Sequence, residues 1–223
     1  MLIYKSNDYS YCITDMAINN IHSESYSVID IEATGLDYNK EYIIQLAAVK
    51  YKFNNDLKSV TLKSFNEFVK PPISIPDKIV RLTNIDNNKV KNASDIRTVL
   101  YKFKNFIEDD ILVAQCGFEF DFPLLDYECQ RNKVACFDNR RIDTKVLFAN
   151  IATEKRETFS TDYLIRHYLI DTTDLKRHDA LNDSKIISRI LNAIMCEYWE
   201  KSIYHLEIDK ELKIQKFIPF VIE

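Results

Sequence analysis

The sequence predicts an α/β layer fold, with a mixed central sheet of five strands and helices packed on it. Three observations predict it. Before Pro71-Pro72 the chain offers three strand-like runs joined by short turns. After the prolines the apolar period changes from that of a strand to that of a helix. Two short runs, 111–114 and 141–144, then each lead into a helical pattern, giving the order β-β-β-α-β-α-β-α plus additions.

Residues 1–25 are polar and rich in Tyr, Asn and Ser, and read as an N-terminal extension. They offer a short strand at 2–4 or a helical turn near 15–21. The main domain spans 26–200, and its first strand is 26–32, followed by a turn at Thr34-Gly35-Leu36-Asp37. Residues 42–53 form a second strand, apolar enough to be largely buried. Asn54-Asn55-Asp56 signals a hairpin, and 60–69 alternates as a third strand until the prolines stop it. Sequential strands joined this way form an antiparallel meander.

Helices follow at 76–82 and 94–108; in the second, Ile96, Val99, Leu100, Phe103, Phe106 and Ile107 recur at helical spacing behind Ser94 as N-cap. Residues 111–114 form a short buried strand, and 122–132 a helix with Pro123 in its first turn. Residues 141–144 form the fifth strand, leading into a helix through Ala149. Two more helices cover 161–169 and 181–199, the latter with Ile186, Ile187, Ile190, Leu191 and Ile194 on its apolar side. The tail, 201–223, alternates at Leu206, Ile208, Leu212 and Ile214, as an extra strand pair packing on the domain or a segment docking a partner.

Composition narrows the function. With 223 residues, 46% hydrophobic and 29% charged, the chain affords one large domain with extensions and argues against global disorder. A formal charge of -4 argues against a passive nucleic-acid-binding module. It leaves room for an enzyme whose substrate phosphates meet bound cations, because those ions reverse the local sign. Five cysteines without zinc-site spacing, no signal-peptide layout and no run of membrane-spanning length predict a soluble cytoplasmic protein with reduced thiols and no membrane partner. The two glycines, Gly35 and Gly117, mark places where the backbone turns sharply or approaches something closely.

The chemistry centres on Asp30 and Glu32. They lie two residues apart in an apolar, β-branched run, so both carboxylates leave one face of the strand while Ile29 and Ile31 leave the other. Carboxylates crowded in a half-buried strand repel each other and lose hydration unless a proton or cation compensates. A hard divalent cation takes oxygen ligands of this kind, whereas a solvated strand edge needs none. Asp121 stands where a buried strand crosses into a helix, near the sheet edge where open α/β folds hold ligands; alternatively it only caps that helix. His178 precedes the long helix in a loop, and Asp183 falls in its early turns, where dipole compensation is the simpler role.

Together, Asp30-x-Glu32, Asp121 ahead of Phe-Pro-Leu-Leu, and His178-x-Ala-x-x-Asp183 resemble the DEDDh family of 3′–5′ exonucleases, in order and spacing, over about 26–199. The segment from Gly117 to Leu125 is most similar to the three-prime repair exonucleases. The resemblance implies a ribonuclease-H-like fold and two-metal phosphodiester hydrolysis with Mg²⁺ or Mn²⁺, releasing nucleoside monophosphates. It implies Asp30, Glu32, Asp121 and Asp183 as metal ligands, Asp30 bridging both ions, and His178 as general base, since imidazole titrates near neutrality. Asp179 matches no ligand position. Ala33, Thr34 and Leu36 match positions that contact the terminal nucleotide, and Phe120 or Phe122 adds an apolar wall, with Phe122 better suited to the core.

One departure is Gln115-Cys116, where the family carries His-Asn. The expected substrate is the 3′ end of single-stranded or frayed DNA, with RNA as the alternative. A non-catalytic interaction domain is the reading from another class, and the intact set of acidic residues and histidine argues against it. Among the basic residues available to grip phosphate are Arg131, Arg140, Arg141 and the pair Lys176-Arg177. The stretch from Gln215 to Phe220 faintly resembles a sliding-clamp-binding peptide, so a polymerase or clamp enters as a possible partner.

Overall fold

The computed structural model describes residues 1–53, 59–153 and 158–217. Three strands open the chain: β1 (Leu2–Tyr4), β2 (Ser10–Thr14) and β3 (Met16–Ile18). The meander follows as β4 (Ser25–Ala33), β5 (Ile43–Phe53) and β6 (Ser59–Phe68), the hairpin signal at 54–56 lying outside the described residues. Helices α1 (Asp77–Thr83), α2 (Asn87–Val90) and α3 (Ile96–Ile107) lead to β7 (Ile111–Ala114), α4 (Asp121–Arg131), β8 (Arg141–Asp143), α5 (Thr144–Ile151) and α6 (Thr161–His167). The long helix α7 (Ala180–Glu200) precedes β9 (Leu206–Ile208) and β10 (Leu212–Gln215).

The main sheet has five strands in the order β6-β5-β4-β7-β8, antiparallel on the meander side and parallel at β4–β7 and β7–β8. It is the mixed sheet that the sequence predicts. β4 sits at its centre, and its side chains divide by the period of two. Tyr26 and Val28 enter a core shared with α5, α6 and α7, while Ile29, Ile31 and Ala33 enter a second core with α3 and α4. Asp30 and Glu32 therefore stand on the α7 side of the sheet. In α7, Ile186, Ile187 and Ile190 belong to the first core. Asp183 lies one turn ahead on that same stripe, which aims its carboxylate at the sheet.

Several local expectations need correction. No helical turn forms at 15–21: Met16 and Ile18 are buried and Ala17 exposed, the alternation of a strand, and β3 pairs antiparallel with β9. β2 likewise pairs with β1 and with β10, so the two ends of the chain share small sheets over the first core. Ser94 does not cap α3. Asp95 does, its carboxylate accepting from the Thr98 N–H at 3.1 Å, while Ser94 makes an isolated bridge with Val69. The four-residue α2, capped by Asp86, is too short to carry a sequence period.

Neither glycine has a positive φ, so turn geometry explains neither, and at Gly117 close approach does. A Cβ on Gly117 would lie 2.6 Å from Ala114 Cβ and 2.7 Å from Phe122 Cε2, both buried. Gly117→Ala is expected to lower stability by about 1–3 kcal/mol, read as a fall in the denaturant midpoint at unchanged m-value.

Candidate active site

The C-terminal end of β4, the N-terminus of α4 and the N-terminus of α7 meet at one edge of the main sheet. Glu32, His178 and Asp183 each present one ligand atom, and these atoms lie within 4.8 Å of one another. Asp30 and Asp121 complete an acidic group around them, each close enough to act on its neighbours' charge. Loss of hydration, then the charges of Asp121, Glu32 and Asp183, hold the Asp30 carboxyl well above the usual carboxylate range. Burial, then Asp183 and Asp121, pushes Glu32 up to about 8. Burial and the charge of Asp143 push Asp121 up to about 8, against the backbone N–H groups of Asp121 and Ile31. Asp121 is not the cap of its helix: Phe120 holds the N-cap position and makes no side-chain cap bond.

Crowded oxygens of this kind, held by three rigid elements, fit a hard divalent cation. Carboxyls pushed upward bind protons in the folded chain at a pH where the unfolded chain, titrating near 4, has released them. Folding stability contributed by these groups therefore falls as pH rises, from the unfolded range through about 8. The melting temperature of metal-free protein is expected to fall from pH 5 to pH 9. Mn²⁺ should raise it most at the alkaline end, and Glu32→Gln should flatten the slope. Scanning fluorimetry across that range reads all three, and a slope unchanged by Glu32→Gln would contradict the electrostatic origin.

His178 is exposed, with its backbone at φ 60° and its N–H donating to Asp183 Oδ2 at 2.6 Å. The bond fixes the loop while leaving the ring free to meet a substrate. Asp179, set aside as a ligand, is the N-cap of α7: it accepts from the Asn182 N–H at 3.1 Å.

Of the residues assigned to the terminal nucleotide, Leu36 is 65% exposed and free to press on a base. Phe120 is half-buried at the mouth of α4, and Phe122 is core. Ala33 is buried beside a register shift between Glu32 and Ala33. The Thr34 side chain is occupied, its hydroxyl donating to Glu41 Oε2 at 2.5 Å and accepting from the Tyr42 N–H at 3.0 Å. Its backbone N–H is spent as well, donating to the Tyr42 carbonyl at 2.9 Å, so Thr34 can offer a substrate only its own carbonyl. Gln115 is also engaged: Nε2 donates to the Phe159 carbonyl at 2.8 Å and Oε1 accepts from the Thr144 hydroxyl. Burial pushes the Cys116 thiol up, which disqualifies it as a nucleophile.

One important residue, Gln45, carries no signal in the sequence, and Arg177, expected to meet phosphate, has acidic partners instead. Gln45, opposite Glu32 in the β4–β5 pair, is fully buried. Its Oε1 accepts from the Ala180 N–H at 3.2 Å and its Nε2 donates to Asp179 Oδ2 at 3.3 Å, tying the start of α7 to the sheet. Arg177 donates to Asp183 Oδ1 at 2.6 Å and to Asp162 Oδ1 at 2.8 Å, so it meets the acidic cluster rather than open solvent. Other basic candidates are also tied: Arg131 to Glu128 and the Glu41 carbonyl, Arg140 to Glu24, and Arg141 to Asp126.

The family model RNase_T, described as "Exonuclease", matches residues 27–191. A DNA polymerase III PolC-type protein of Staphylococcus epidermidis is 30% identical over 213 residues, 95% of this chain and 14% of that protein. The PolC-type protein of Ureaplasma parvum is 29% identical over 175 residues, 78% of this chain and 12% of that protein. The chain thus spans a small fraction of the length of these relatives. Among solved structures, the nuclease domain of 3′hExo, a DEDDh family member bound to rAMP, superposes with a TM-score of 0.68 at 21% identity, covering 80% of this chain and 94% of that one. Escherichia coli exonuclease I in complex with a dA16 oligonucleotide gives 0.67 at 13% identity, covering 80% and 42%. The shared architecture is the ribonuclease-H-like fold.

Proposed function

The chain belongs to the RNase_T exonuclease family, as a DEDDh-type 3′–5′ exonuclease domain, and from that premise we propose that it releases nucleoside monophosphates from the 3′ ends of single-stranded or frayed DNA. The observation that carries this reading is the meeting of Glu32, His178 and Asp183 within 4.8 Å, beside Asp30 and Asp121. Asp30, Glu32, Asp121 and Asp183 would hold two divalent cations, Mg²⁺ or Mn²⁺. When bound, these would supply Lewis-acid activation of the attacking water and charge stabilisation at the leaving 3′ oxygen. The chain's own residues do the rest. His178, on its exposed loop, takes the proton of the attacking water. Leu36 and Phe120 wall the last base, and the backbone of Ala33 and Thr34 floors the 3′ terminus.

DNA is favoured because the relatives that match 95% and 78% of this chain are DNA polymerases. The likeness to the rAMP-bound neighbour, at 21% identity, speaks for the fold and not for the substrate. Within the described residues no helix is long and apolar enough to cross a membrane. Purified protein should be given 5′-labelled DNA and RNA of equal sequence under Mg²⁺. Faster stepwise shortening of DNA supports the assignment, and shortening of RNA alone transfers it to an exoribonuclease with the same site.

A further inference from the structure

The loop 115–120 carries Phe120 and leads into Asp121, and it is here that the chain departs from His-Asn. Its other side faces α5 and the C-terminal tail. Lys145 on α5 is fully buried, and its Nζ donates to Glu119 Oε1 at 2.6 Å. An ammonium withdrawn from water is costly unless it is paired and hydrogen-bonded. The second oxygen of Glu119 accepts from the backbone N–H of Phe217 at 2.8 Å. That segment is in turn held by the Lys216 N–H on the Tyr9 carbonyl, at 2.8 Å. The loop backbone has a second anchor two residues before Lys145: Asp143 accepts from the N–H groups of Cys116 at 3.2 Å and Phe118 at 3.4 Å. Cys116 itself sits at φ 58°, a conformation that costs a non-glycine residue energy and needs such support.

We propose that Lys145 and Glu119 are positioning residues for the nuclease reaction, and that the backbone of Phe217 completes the latch, so that the C-terminal segment sets the placement of the loop carrying Phe120 and Asp121. The proposal rests on the exonuclease reading of the site. Glu119 lies two residues from Asp121 and shares its carboxylate between a buried cation and the tail, so movement of either partner is transmitted to the loop. The sequence alone assigns neither residue a role, because the contacts join positions 26 and 98 residues apart.

Two pairs of variants test it. Phe217→Pro removes the donating N–H, while Phe217→Ala removes the ring and keeps that N–H; Phe217 is half exposed, so both fold. Lys145→Met with Glu119→Gln removes both charges at similar volume, which a fold commonly tolerates. Amide exchange of residues 116–121 is measured in metal-free protein, and Mn²⁺ affinity by electron paramagnetic resonance. The latch predicts faster loop exchange and Mn²⁺ binding weakened about 3-fold to 10-fold in Phe217→Pro but not Phe217→Ala. It predicts a loss of about 10-fold in the double variant. Exchange and affinity unchanged in Phe217→Pro and in a folded double variant would overturn it; if the double variant does not fold, the proline–alanine pair decides alone. Wild-type protein that binds no Mn²⁺ would instead overturn the functional reading, and the exchange comparison would still decide the latch.

Discussion

On the proposed reading, Asp30→Asn is expected to reduce shortening of DNA by about 10³-fold or more, because a carboxylate that would hold the divalent cations supplies several kcal/mol of transition-state stabilisation. The same substitution should raise the melting temperature of the metal-free protein. Asp30 is a desolvated carboxyl among Asp121, Glu32 and Asp183, and a neutral amide relieves that repulsion. Lost activity combined with gained stability is the signature of a charge retained for chemistry and not for folding. Steady-state rates and thermal melts of the same preparation check both halves. A variant that melts lower and still digests DNA would mean that Asp30 is a structural carboxylate.

The second large effect is at His178. His178→Asn should lower kcat by about 10²-fold to 10⁴-fold, the usual worth of a general base. Asparagine is the informative replacement, because it tolerates the left-handed backbone found at φ 60° and keeps the N–H bond to Asp183. The ring also lies among the ligand atoms of Glu32 and Asp183, so a direct ligand role must be separated from a proton-transfer role. A base leaves Mn²⁺ affinity within about 3-fold of wild type, whereas loss of a ligand-sphere residue weakens it about 10-fold to 100-fold. Titration of Mn²⁺ into the variant distinguishes the two.

In the acidic part of the candidate site, the strand period alone put Asp30 and Glu32 on one face. Asp121 and Asp183 each also read as ordinary helix-start residues, and only the resemblance of the three segments to the DEDDh family joined them to that pair. The central sheet was legible because its strands are long, apolar or clearly punctuated. What stayed hidden depends on contacts between distant parts of the chain. A strand at 2–4 and a strand pair in the tail were legible, but Ser10 pairs with Gln215 and Met16 with Ile208, and that pairing of one end of the chain with the other has no local sign. Gln45 looks like an ordinary polar residue in a buried strand until α7 arrives to use both ends of its amide. Arg131 and Arg141 read as free phosphate ligands; Glu128 stands three residues before Arg131 on α4, a pairing that the sequence does show, whereas Arg141 on β8 meets Asp126 on α4, which local charge counting does not see. Thr34 was assigned to substrate by position alone, and its hydroxyl is spent inside the turn.

The most direct measurement is a time course on 5′-labelled single-stranded DNA with Mg²⁺ and then with chelator. A cluster of carboxylates that works through divalent cations from the 3′ end predicts a ladder of progressively shorter labelled products in Mg²⁺ and intact DNA in chelator. Shortening that persists in chelator, or immediate release of the label as a mononucleotide, would contradict it.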